Sequence, residues 1–157
     1  MEKRHLALFI VLSLLAALPA TVGPVWAVLG ESDDSIASDE KALSAVRGAA
    51  AVRNGYTVHE IQSDLNTVRE FVSPSGVVFG IAWNGRGIPD LTPLLGSYAG
   101  EYKDALKRTP REPGRRPYSV VKTDRVVVEK WGHMRNLQGR AYAPALIPPG
   151  VSVDEIK

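Results

Sequence analysis

The chain of 157 residues contains no cysteine. Disulfide staples, thiol nucleophiles, thiolate–zinc sites and a lipid-anchoring cysteine are all excluded. The fold must rest on its hydrophobic core. Aromatics make up 7% and histidine occurs three times, once in the first five residues. The other two, His59 and His133, have no partner histidine three or four residues away, so no local metal-ligand spacing exists. His59–Glu60 is not a zincin motif, because the second histidine is missing and the segment reads as a strand. We expect no metal and no cofactor. Net charge is also nearly absent, and no clustered basic face suggests nucleic acid. The densest basic stretch, Lys107–Arg116, is broken by prolines and a glycine and reads as a solvated loop. Gly-x-Ser-x-Gly is absent, and Ser73–Gly76 reads as a tight turn.

One apolar run stands out, Leu6 to Leu18. It follows the basic "MEKRH" and precedes "PVWA", whose Val25 and Ala27 form a small-x-small site. That order predicts a secretory signal over residues 1–27, cut after Ala27. Pro19 and Pro24 make the alternative, an uncleaved membrane anchor, a poor spanning helix. Membrane contact is expected only through this segment, if it stays uncleaved. Removing Glu2, Lys3 and Arg4 from the 19 basic and 17 acidic side chains leaves 17 and 16. Residues 28–157 are enough for one core and one domain. The expected location is the periplasm or the exterior.

The segment from Glu31 to Gly55 reads as a helix with an acidic start and an alanine-rich middle, with 28–54 loosely attached. From Tyr56 the period becomes two. "YTVHEIQ", "TVREFV" and "VVFGIAW", separated by "SDLN" and "SPSG", predict a three-strand antiparallel meander. The third strand is apolar on both faces and should lie centrally. Leu91, Leu94, Leu95, Tyr98, Tyr102 and Leu106 recur at steps of three and four, which predicts an amphipathic helix. Gly96 and Gly100 on that helix could admit a close strand. Two or three strands follow, ending in "IPPG". The fold class is therefore α+β: a single domain with an antiparallel sheet (meander, helix, C-terminal hairpin) and an N-terminal helix.

Two groups could carry chemistry. Asn84, Gly85, Arg86 and Gly87 lie between a strand and a helix, where successive amides can cradle an anion or simply turn the chain. "WGHMRNLQGRAY" holds His133, Arg135, Arg140 and Tyr142. A turn at Lys130–Gly132 would split these four across two strand faces. A turn at Asn136–Gly139 would gather them on one face and set Arg135 against Arg140, which needs an anion between them. The first avoids that penalty.

"VREFVSPSGVVFGIAWNGRGIPDLTPLLGSY" and "GHMRNLQGRAYAPALIPPGVS", with "YTVHEIQ" and "ALPA…VWAVLGE", resemble an exported bacterial family known as domain of unknown function (DUF) 2844. The resemblance covers nearly all of the chain beyond the signal segment. It implies an exported bacterial protein of one domain, and brings no activity, cofactor or catalytic residue with it. The expected function is a non-enzymatic binding or accessory module of the cell envelope, its partner an envelope protein or polymer. Two alternatives remain. One is a small periplasmic hydrolase with His133 or His59 as base and Arg135 or Arg140 as anion contact. The other is an anion or polyanion binder using Arg86, Arg135 and Arg140.

Overall fold

The computed structural model describes residues 29–32, 46–110 and 118–157. The signal segment, its cut, residues 33–45 of the predicted helix and most of the basic loop lie outside the described residues.

The described chain is mostly β: one antiparallel sheet with a single helical segment against it. Its strands are β1 (Val46–Arg47), β2 (Ala51–Arg53), β3 (Tyr56–Gln62), β4 (Asn66–Val72), β5 (Val78–Gly85), β6 (Ser119–Lys122), β7 (Val127–His133) and β8 (Asn136–Tyr142). The order is β1-β3-β4-β5-β8-β7-β6, with β2 also paired to β3. The meander falls where period two places it. β5 is central, hydrogen-bonded to β4 on one side and β8 on the other. Ser63 and Asn66 close the first turn, with the Ser63 amide donating to the Asn66 carbonyl at 2.9 Å. Gly76, at φ 79°, closes the second.

The predicted N-terminal helix is not what the chain forms over 46–53. Those residues run along the β3 edge as an interrupted strand, Val46 opposite Gln62 and Ala51 opposite Val58. Four residue steps from Arg47 to Ala51 oppose three on β3, which marks a bulge. Asn54–Gly55, read from sequence as a helix stop, is a two-residue hairpin loop between Arg53 and Tyr56, with Gly55 at φ 86°. An open strand edge needing backbone partners outweighs alanine's helix propensity, which tertiary pairing readily overrides.

The two faces of the sheet are covered differently. Helices α1 (Leu91–Leu95) and α2 (Ala99–Arg108), joined by a 3-10 turn at Gly96–Tyr98, lie on one face. Asp90 caps α1 by accepting from the Thr92 amide at 2.8 Å. The Leu/Tyr stripe is core: Leu91, Leu94, Leu95, Tyr98 and Tyr102 are buried against Ile61, Val68, Ile81, Trp83, Val128 and Ala141. Leu29 joins this layer, its amide donating to the Leu94 carbonyl. Gly96 ends α1 at φ 43° rather than admitting a strand, and Gly100 has nothing within 4 Å of where a Cβ would stand.

The opposite face is covered in part by the C-terminal segment, which we call the tail. Ile147, Val151 and Ile156 pack on Tyr56, Phe71, Phe79 and Ala82. Ile156 is fully buried over Gly80, where a Cβ would stand 2.9 Å from the Ile156 Cδ1. Ser152 and Glu155 form a capping box at the last helical turn.

Candidate functional site

The tail-covered face is built in rows, because antiparallel register sets side chains of adjacent strands side by side. Val58, Phe71, Gly80, Tyr142 and Val127 form an apolar row, the part over which Ile156 lies. The next row reads Glu60, Arg69, Ala82, Arg140, Glu129. The third reads Gln62, Thr67, Asn84, Gln138, Trp131. Period two thus stacks an apolar, a charged and an amide–aromatic band.

In the charged row each arginine has its own carboxylate. Arg69 Nε donates to Glu60 Oε2 at 3.3 Å, and its Nη2 donates to Asn84 Oδ1 at 3.0 Å. Arg140 Nε donates to Glu129, and its Nη1 donates to the Val153 carbonyl at 2.8 Å and approaches Asp154 at 3.6 Å. Arg140 thereby ties the tail to the sheet. In the third row Trp131 Nε1 donates to Gln138 Oε1 at 3.1 Å, and Gln138 Nε2 donates to Asn136 Oδ1 at 2.9 Å.

Two half-open cavities lined by described residues lie on this face. The larger, about 620 Å³, is lined by β2–β4 side chains including Arg53, Tyr56, Glu60, Arg69 and Phe71, and by Glu155 and Lys157 of the tail. The smaller, about 330 Å³, is lined by Arg69, Asn84, Trp131, Gln138 and Lys157, with Trp83 and Gly139. Arg69 and Lys157 belong to both, so the two adjoin there, and together we call them the trough.

Two tail-side groups are electrostatically tuned. The Ser152 amide, then the Tyr56 hydroxyl, hold the Glu155 carboxyl below the usual carboxylate range. Burial, then Glu155, push the Tyr56 phenol up. Tyr56 Oη donates to Glu155 Oε2 at 3.0 Å. Tyr142 is also raised, by burial and then by Glu129.

The His133–Tyr142 group divides, though at neither turn considered from sequence. β7 and β8 meet at Met134–Arg135, with His133 opposite Asn136 and Arg135 at φ 64°. Arg140 therefore faces Glu129, and Tyr142 faces Val127. His133 and Arg135 sit exposed at the hairpin tip. Arg140 and Tyr142 share a face, with the Arg140 Cζ 5.9 Å from the Tyr142 ring centre. Gly132 at φ 113° lies beside the turn, and Gly139 lies under Trp83.

The Asn84–Gly87 loop is built as a chain-turning element. The Arg86 amide donates to the Leu65 carbonyl at 2.9 Å, and the Asn66 side chain packs on the Gly87 backbone. A Cβ at Gly85 would stand 2.2 Å from the Leu65 carbonyl, which explains that glycine. Asn84 lines the smaller cavity, while Arg86 is exposed and lines neither, its amide bonded to the β3–β4 loop.

Sequence reading missed Arg69, Asn84 as its partner, Trp131 and Lys157. The available signal was alternation in "TVREFV", which sets Arg69 on the face opposite Val68 and Glu70. It also missed Glu70, which is 1% exposed on the helix face, directly opposite His59. Among the described residues no group of three or more His, Asp or Glu could hold a metal ion.

Comparison with curated proteins returns no match. Comparison with solved structures returns none either. A family model does match, over residues 25–156, and it takes in every strand and both helices described above. The chain belongs to that family, described as "Protein of unknown function (DUF2844)".

Proposed function

We propose that this chain is an exported, non-enzymatic binding module of the bacterial envelope, and that its ligand site is the trough on the tail-covered face. One observation carries the reading. Two half-open cavities meet at Arg69 and Lys157 on a sheet whose other face is buried under the helix. A concave, partly apolar surface with a few placed polar groups on rigid strands is how proteins usually hold ligands. The basic start, apolar run and small-x-small site support export. Two of the groups considered for acid–base work have other settings. His133 is exposed at a hairpin tip, and Arg140 is committed to Glu129 and the tail.

The test is photo-cross-linking in envelope extracts. A probe at Thr67, in the amide–aromatic row, should capture a discrete envelope component. A probe at Lys103, exposed on α2, should not. Equal capture at both positions, or turnover of ester, glycoside or phosphate substrates by the purified protein, contradicts the reading.

A further inference from the structure

The trough has a chemistry that narrows its ligand. Three cations line it: Arg53, Arg69 and Lys157. Its two side-chain carboxylates are already engaged, Glu60 with Arg69, and Glu155 with the Tyr56 hydroxyl and the Ser152 amide. Arg53 and Lys157 form no ion pair among the described residues, and Arg69 leaves Nη1 unused. Where the cavities join, an anion would meet Arg69 and Lys157 together, and charge-assisted bonds are the strong ones.

Around that point lie groups suited to hydroxyls. Asn84 accepts from Arg69 through Oδ1, which leaves its NH₂ facing no partner among the described residues. Trp131 and Gln138 line the same cavity and hold one another in place. An aromatic ring beside fixed amides offers a sugar both a flat apolar contact and directional hydrogen bonds. The trough crosses from β2 to β7, six strands and so about 24 Å at sheet spacing. That is long enough for several sugar units. Its half-open form suits a polymer lying across the sheet better than a lipid, which needs enclosure.

We infer that the trough binds an acidic oligosaccharide, one acid group seated between Arg69 and Lys157 and a neighbouring sugar against Trp131 and Asn84. This rests on the trough being the ligand site.

The experiment is calorimetric titration of the purified protein with a short oligogalacturonate, with a neutral maltooligosaccharide and with an acidic peptide. The acidic saccharide should bind at least about tenfold more tightly than either competitor. Its affinity should fall as salt rises. Lys157→Ala and Trp131→Ala should each weaken it about fivefold or more. Arg135→Ala, at the hairpin tip, should leave it unchanged. Lys157 is exposed, so its substitution cannot be confused with unfolding. Equal affinity for the neutral sugar, tighter binding of the peptide, or indifference to Lys157→Ala overturns the inference. If no saccharide binds while Thr67 still cross-links an envelope component, the ligand class fails and the binding reading stands. If neither occurs, both fail.

Discussion

Arg69 and Asn84 are joined across the β4–β5 pair by a 3.0 Å hydrogen bond, from Nη2 to Oδ1. The bond links the charged row to the amide row and ties Arg69, which lines both cavities, to Asn84 in the smaller one. Glu60 holds the same guanidinium through Nε, so Nη1 is pre-oriented before any ligand arrives. Arg69→Lys keeps the charge and loses this geometry. It should leave stability within about 1 kcal/mol, because the pair is partly exposed, while weakening ligand binding. Paired denaturation and titration would check both halves.

The tail should behave as part of the core. Ile156→Ala removes a fully buried side chain and should cost about 2–5 kcal/mol in chemical denaturation. Gly80→Ala should cost about 1–3 kcal/mol, since its Cβ would stand 2.9 Å from the Ile156 Cδ1. The two should not add. With Ile156 shortened, the new methyl finds room, and the double variant should be less destabilised than the sum.

Gly139 is more sharply required. A Cβ there would stand 2.2 Å from the Trp83 Cζ2 and 2.6 Å from the Glu129 carbonyl oxygen. Backbone on one side and a buried indole on the other leave no relief. Gly139→Ala should cost about 3 kcal/mol or more, read as a fall in melting temperature or as loss of soluble protein.

The tail clasp should be pH-sensitive on both limbs. Glu155 has a lowered pKa in the fold, so its contribution is present above the unfolded carboxylate range and is lost as pH falls through the folded value. Tyr56 has a raised pKa, so its contribution is present below the unfolded phenol range and is lost as pH rises through the folded value. Glu155→Gln should flatten the acid limb of melting temperature against pH. Tyr56→Phe should flatten the alkaline limb and also remove the bond to Glu155.

Much of the fold was legible because burial imposes period. "YTVHEIQ" is β3 residue for residue, and the Leu91–Tyr102 stripe faces the core. The failures came from glycines with more than one use. Gly132 and Gly139 both resemble turn residues, yet one relieves a contact with the Asn136 carbonyl and the other makes room for Trp83. The true turn carries arginine at positive φ, which composition does not announce. Asn54–Gly55 was a hairpin signal obscured by the alanines before it. The trough was out of reach for a different reason. It needs the tail folded back across β3–β5, a long-range contact that no local pattern encodes.

The most direct measurement is an NMR titration of the protein with its captured envelope component, following the indole N–H of Trp131 and the side-chain amides of Asn84 and Gln138. The account predicts that these signals, with backbone amides around Arg69 and Lys157, shift together and saturate at one concentration, while those of His133 and Arg135 at the hairpin tip stay still. Shifts centred on the tip, with the trough silent, would contradict it.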